Sequence, residues 1–288
     1  MQYKWKIKER PEDFIVIEKA NFSDEEGEFY LYLLIKRNLN TLDISKRLNL
    51  SYAGLKDKNA LTFQYVSSLV DYGDLKIEKF DSSFYILKKL RKIKRKIKIG
   101  QLEGNFFDIK IPSKITKFSK VFINYFDTQR VKQFNIEKGK QLLLKDKKLS
   151  KRENFFVDAY LSYLWNKSFE LFLRENFNGL FLEEKGEKFF IPKNIIIESI
   201  PKFWTILGYK VKLENTKSYY EHILRQEGFD LKEFLQILKA KKIKGDYRRT
   251  YEKATDVKIY GYRIRFFLKK GAYATMYLKH LYTKNCIF

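Results

Sequence analysis

The sequence predicts an α+β fold, and three patterns carry that prediction. Up to about residue 126, short runs rich in β-branched and aromatic side chains alternate apolar with polar positions, as strands do. From about Val131 the spacing becomes helical, and in Tyr262-Arg263-Ile264-Arg265-Phe266-Phe267-Leu268 the alternation returns. A chain of 288 residues with 44% hydrophobic side chains can bury a core, as one large domain or two smaller ones.

Taken in order, Lys8-Glu9-Arg10-Pro11-Glu12-Asp13-Phe14-Ile15-Val16-Ile17-Glu18 has a proline-marked entry and then an apolar run that predicts a strand. Residues 28–36 read as a strand apolar on both faces, as in the middle of a sheet. Thr41 is placed to cap a short helix. A further apolar run, read as a buried strand, leads into Tyr52-Ala53-Gly54-Leu55-Lys56-Asp57-Lys58-Asn59-Ala60-Leu61, after which Thr62-Phe63-Gln64-Tyr65-Val66 alternates again. Asp57 therefore falls on a strand-to-strand connection, where catalytic groups often sit. Lys56 and Lys58 flank it and favour an ionised carboxylate, suited to a nucleophile or base. The same residues also allow Asp57 to cap a turn or to pair with a surface lysine.

Residues 88–98 hold eight basic side chains and no acid. Ile93, Ile97 and Ile99 keep period two against Lys92, Lys94, Lys96 and Lys98, which predicts a strand with one apolar and one cationic face. Such a ridge can hold phosphates without reading sequence. Gly104-Asn105-Phe106-Phe107-Asp108-Ile109-Lys110-Ile111 is a strand introduced by glycine and closed by Pro112, in which Phe107 alone would be read as core. Phe155, Phe156, Ala159, Tyr160, Tyr163, Leu164, Trp165, Phe169, Phe172 and Leu173 predict a long, largely buried helix. Two more helices are expected at 217–226 and 230–241, separated by Gly228.

Charge narrows the partner. There are 59 Lys plus Arg against 35 Asp plus Glu, a net +24, with 17% aromatic residues. Heat-adapted surfaces raise lysine and acids together, and here the acids do not keep pace. Excess cations with many aromatic rings favour a nucleic acid with unpaired bases. Cys286 is the single cysteine, which excludes an intrachain disulfide and a multi-cysteine zinc cluster, and two histidines, His222 and His280, make a histidine-rich metal site unexpected. The N-terminus is too charged for a signal peptide and no apolar run reaches the length of a membrane span, so a cytoplasmic, monomeric protein without membrane or metal is expected.

Five ordered strings resemble the TruD family of tRNA pseudouridine synthases. They are Lys8-x-x-Pro11-Glu12-Asp13-Phe14; Ala53-Gly54-Leu55-Lys56-Asp57-Lys58 followed by Ala60-x-Thr62-x-Gln64; Gly104-Asn105-x-Phe107; Asn124-Tyr125-Phe126 with Gln129-Arg130; and Gly271-Ala272-Tyr273-Ala274-Thr275. The fourth departs from the family, since Asp127, Val131 and Lys132 stand where glycine, phenylalanine and glycine are usual. The resemblance implies a pseudouridine-synthase-type sheet, mixed and mostly antiparallel, flanked by helices and interrupted by an inserted TRUD α/β domain. It puts the catalytic fold at 1–126 and 251–288 and the insertion at 127–250. It implies Asp57 as the catalytic carboxylate and Lys8, Phe14, Lys56, Asn105 and Phe107 around the target uracil; Lys92, Lys94, Lys96 and Lys98, read from the ridge's charge pattern, and Arg130 are expected on the RNA backbone. No cofactor is implied: the base is swung out, its carbon–nitrogen bond to the sugar is broken, and a carbon–carbon bond is made.

Two other classes share part of this pattern. A non-catalytic RNA-binding protein would have the charge and the rings but no use for Asp57, Asn105 and Phe107 together. An RNA methyltransferase would need a cofactor loop, and no G-x-G-x-x-G stretch follows a strand.

Overall fold

The computed structural model describes residues 1–22 and 25–286. The chain divides into two compact units. The sheet unit comprises Lys4–Thr116 and Ala254–Ala272; the helical unit comprises Met1–Tyr3, Lys117–Lys253 and the segment from Tyr273 onward.

The sheet unit opens with a 3-10 turn at Pro11–Asp13, followed by β1 (Phe14–Lys19), β2 (Phe29–Arg37), helix α1 (Thr41–Arg47), the two-residue β3 (Ser51–Tyr52) and β4 (Leu61–Ser68). A hairpin of β5 (Leu75–Phe80) and β6 (Ser83–Ile93) comes next, then β7 (Gly104–Lys110). The helical unit contributes β8 (Val121–Ile123), α2 (Gln133–Leu144), α3 (Lys151–Asn176), β9 (Gly179–Glu184), β10 (Glu187–Pro192), β11 (Phe203–Ile206), α4 (Lys217–Gln226), α5 (Leu231–Ala240), β12 (Asp246–Arg249) and β13 (Tyr251–Lys253). The chain returns to the sheet as β14 (Thr255–Tyr260) and β15 (Arg263–Lys269), and α6 (Ala274–Cys286) follows.

Among the described residues the main sheet has nine strands, in the order β14-β15-β7-β1-β4-β2-β6-β5 with β3 added to β4. Its pairings are antiparallel except β1 with β4. The fold is therefore α+β with a mixed, mostly antiparallel sheet, as expected.

Register decides which side chains share a face, because neighbours on a strand point to opposite sides. Lys36 pairs with Thr62, Thr62 with Val16, Val16 with Phe107 and Phe107 with Phe266, so five strands present one straight row on one face. In the next row Glu18 lies opposite Asn105, and Asn105 opposite Leu268. Farther along, Tyr32, Leu34, Val66, Tyr85 and Leu87 are covered by Ile44 of α1 and by Leu48 and Leu50 after it. A second cluster gathers Leu31, Ala53, Ile93 and Ile97.

Three local expectations change. The α1 cap is Asn40, whose Oδ1 accepts the Leu42 N–H at 3.3 Å; the Thr41 hydroxyl is instead committed to Gln64 Oε1 at 2.8 Å. The apolar run before Asp57 is not a buried strand, because Leu48 and Leu50 are spent on seating α1, which leaves two residues for β3. The 88–98 stretch is not one strand either. β6 ends at Ile93, and the chain turns so that Ile97, four residues on, also reaches the cluster under Ala53. Apolar anchors at 93 and 97 satisfy a period of two as well as a turn, so alternation alone could not tell them apart.

In the helical unit α3 buries Tyr160, Leu164, Trp165, Phe169 and Leu173 and starts with a capping box between Ser150 and Glu153. Gly139 lets α2 approach it: a Cβ there would lie 2.1 Å from the Phe156 carbonyl oxygen. Asp127, at a position where the resembling family has glycine, is buried and held by the Thr128 N–H, the Thr275 hydroxyl and the Lys279 ammonium of α6, and Lys279 also meets Glu184 at 2.9 Å. Burial pushes the Asp127 carboxyl up, but these partners outweigh it and leave it below the usual carboxylate range.

Candidate active site

Asp57 sits on the connection from β3 to β4, which is tied down at several points. The Asn59 N–H donates to Asp57 Oδ1 at 3.0 Å, an Asx turn that fixes the side chain. The Lys36 ammonium donates to the Asp57 backbone oxygen at 2.7 Å, and the Lys56 N–H donates to Thr41 Oγ1 at 3.4 Å. Asp57 Oδ2 forms an ion pair with Lys8 Nζ, the two side chains being 20% and 25% exposed. Both are accessible without being free in solvent.

Lys8 connects this carboxylate to the aromatic part of the sheet. Its ammonium lies over the Phe14 ring, 4.0 Å from the centroid. Phe14 meets Phe107 edge-on with centroids 6.0 Å apart, and Phe107 stacks on Phe266 at 5.5 Å. Phe107 is only 7% exposed, so its ring is part of the wall of the site and not an isolated flap. Two polar atoms on this face, Asn105 Oδ1 and Thr62 Oγ1, are buried and have no hydrogen-bond partner. An unpaired buried polar atom costs roughly 1–3 kcal/mol, and these two stand in register with the buried charges of the sheet, Thr62 opposite Lys36 and Asn105 opposite Glu18.

Lys56 is turned inward. It forms a buried ion pair with Glu18, whose other oxygen accepts the Tyr65 N–H at 3.3 Å. The flanking-lysine environment expected for Asp57 is thus replaced: Lys56 serves Glu18, Lys58 is exposed, and the cations that meet Asp57 are Lys8 and Lys36. Lys36 is fully buried, and burial pulls its ammonium down to about 8 despite the opposing charge of Asp57. Sequence reading missed Lys36, Glu18, Thr41 and Gln64 as parts of the site. The available signal was a charge at an inward register in otherwise apolar strands, as in Leu33-Leu34-Ile35-Lys36 and Ile15-Val16-Ile17-Glu18.

The basic ridge does not join this cluster. Lys92 lies over the Tyr30 ring at 5.1 Å, whereas Lys94, Lys96 and Lys98 line a separate cleft with Arg95. Arg130 belongs to the helical unit, where it contacts Asp158 at 3.6 Å and covers the Phe155 ring at 5.1 Å.

The geometry is a carboxylate beside an aromatic wall in a strongly basic protein. A family model described as TruD, tRNA pseudouridine synthase D, matches residues 3–146. A Nanoarchaeum equitans protein described as a probable tRNA pseudouridine synthase D is 26% identical over 98% of this chain and 100% of its own length. A similarly described Pyrococcus abyssi protein is 33% identical over 69% of this chain and 50% of its own. The fold resembles the solved structure of a protein from Methanosarcina mazei described as a putative tRNA pseudouridine synthase D, with a TM-score of 0.61 over 98% of this chain and 93% of that one, at 17% identity. With half of its length under the family model, and that half containing Lys8, Asp57, Asn105 and Phe107, the chain belongs to the TruD family of tRNA pseudouridine synthases.

Proposed function

We propose that the chain isomerises one uridine of a tRNA to pseudouridine with Asp57 as the catalytic carboxylate. The observation that carries this is the position of Asp57: accessible, oriented by Asn59 and Lys8, and adjoining a sheet face with an aromatic wall and two unpaired polar atoms. A uracil swung out of the RNA loses its stacking partners and needs replacement surface; Phe14 and Phe107, 4% and 7% exposed, offer it only at the open margin of their packed wall. Asn105 Oδ1 is an acceptor for the N3–H of the base, and the Lys8 ammonium can exchange its carboxylate partner for an adjacent phosphate. Asp57 then acts at the ribose or the base as the carbon–nitrogen bond breaks; the base turns, and its carbon bonds to the sugar. Lys56 supports the turn through Glu18 and does not itself reach the base. The long excursion between β7 and β14 supports reading 127–250 as an inserted domain that holds more distant parts of the tRNA, with Arg130 and the lysines after β6 on its backbone. The family resemblance favours uridine 13 or an anticodon uridine as the target.

The test is to map pseudouridine in tRNA transcripts treated with wild type and with Asp57→Asn, without added cofactor. Product is expected at one position for the wild type. The variant should turn over slower by at least about 10²–10⁴-fold, the usual contribution of a positioned acid–base group, while tRNA affinity stays within about twofold. Ordinary turnover by Asp57→Asn would remove Asp57 from the chemistry, and binding without product by the wild type would favour a non-catalytic RNA-binding protein.

A further inference from the structure

The loop after β6 builds a second concave feature in the sheet unit. A cleft of about 410 Å³ is lined by the apolar Phe29 and Leu69 and by Lys94, Arg95, Lys96 and Lys98. Lys94 is compensated by Glu25 at 2.8 Å, but the side chains of Arg95, Lys96 and Lys98 have no acidic partner among the described residues. These charges are not on a loose tether. Ile97 is 2% exposed and its N–H donates to Ser67 Oγ at 2.9 Å, while the Gly100 N–H donates to the Ala53 carbonyl at 2.7 Å and the Gly100 carbonyl accepts from Lys270 Nζ at 2.9 Å. The fold therefore holds three like charges close together around a concavity, where low-dielectric walls concentrate their field.

We propose that this cleft binds a single nucleotide of the substrate RNA, its phosphate on Arg95, Lys96 and Lys98 and its base against Phe29 and Leu69. The inference rests on the tRNA reading above and adds a site to it. The volume lies in the range of about 300–1,000 Å³ that encloses one small organic ligand and is too small for a duplex. Leu69, 57% exposed, is an apolar surface at the lip that a phosphate alone would not use. Ser68, which also lines the cleft, ends β4, whereas Asp57 lies near the beginning of that strand; the seven steps from Leu61 to Ser68 cover roughly 23 Å at about 3.3 Å per residue. That separation equals roughly seven stacked steps of about 3.4 Å, so the anchored nucleotide is not the one being isomerised. Recognition then depends on an unpaired nucleotide at a set distance from the target uridine.

Filter binding of tRNA transcripts at several salt concentrations tests this with Arg95→Ala, Lys96→Ala, Leu69→Ser and, as a control of equal charge change elsewhere, Lys79→Ala. The two cation variants should each weaken binding about five- to tenfold and reduce the slope of log affinity against log salt by about 0.9 to 1. Leu69→Ser should weaken binding without altering the slope, because it removes surface and not charge, and Lys79→Ala should leave affinity near wild type. If Arg95→Ala and Lys96→Ala lose no more than Lys79→Ala, or if Leu69→Ser binds like wild type, the nucleotide site is wrong. Affinity is read without catalysis, so this outcome is separate from failure of the pseudouridine reading, which would show as no product from the wild-type enzyme.

Discussion

Lys36 contributes no surface, yet it carries a charge beneath the turn that presents Asp57. A lysine held near 8 against an ordinary 10.5 binds its proton less tightly folded than unfolded. Its cost to stability is fully present below pH 8 and is relieved as pH rises from about 8 to 10.5, because the unfolded chain is the better proton acceptor in that window. Lys36→Met should thus be at least as stable as wild type at pH 7, by up to about 3 kcal/mol, with the difference closing toward pH 10.5 in urea denaturation. If Asp57 reacts as proposed, the same variant should lose about 10- to 100-fold in kcat, since the Asp57 carbonyl loses its tether and a small displacement of a reacting group is costly. A kcat equal to wild type would make Lys36 a purely structural charge. Asp57, Lys8, Phe14, Asn105 and Phe107 were legible as candidates because each sits in a short string of distinctive residues. Lys36 and Glu18 were not, because what makes them part of the site is register across strands, which one strand's sequence does not carry.

At the scale of elements, helices α3, α4 and α5 were readable from spacing, and the break between α4 and α5 from Gly228 and Asp230, whereas the Ser150 cap of α3 was found only in the structure. β3 and the loop after β6 were not, because their conformations are dictated by what packs beneath Ala53 and Ile97. The contact between α6 and Asp127 was also out of reach: the departure from glycine was visible in the sequence, but the lysine that answers it lies 152 positions later. That pairing makes a specific prediction. Lys279→Met leaves the buried Asp127 carboxylate without its cation and should destabilise the protein by about 3–5 kcal/mol, and adding Asp127→Asn should recover most of the loss. Urea denaturation of the single and double variants distinguishes this from simple loss of packing, in which the second change would make matters worse.

For the whole molecule, the net charge of +24 bears on how tightly RNA is held and how steeply that depends on salt. If about 6–10 phosphates are contacted, affinity for tRNA should fall about 10³–10⁵-fold between 50 and 200 mM salt, measured by filter binding. A nearly flat dependence would mean that the cations serve solubility and not RNA. The charge was legible in the composition and the sheet in the period-two runs. Neither could say that the cations would divide between an ion pair at Asp57 and a cleft at the far end of β4, because that division follows from how the chain turns after Ile93. No helix among the described residues is long and apolar enough to cross a membrane.

The place of β15 beside β7 also bears on how the protein is made. As the chain emerges from the ribosome, β7 is complete while its neighbour on one side is still roughly 150 residues from synthesis, roughly 8 to 30 seconds at about 5–20 residues per second. During that interval a strand carrying Phe106 and Phe107 has an unpaired edge, and the ring that will stack on Phe107 does not yet exist. A nascent chain of this protein therefore passes through a sticky stage that ends when its final strands arrive, and its yield in cells should depend on chaperones that shield that edge more than on the stability of the finished fold.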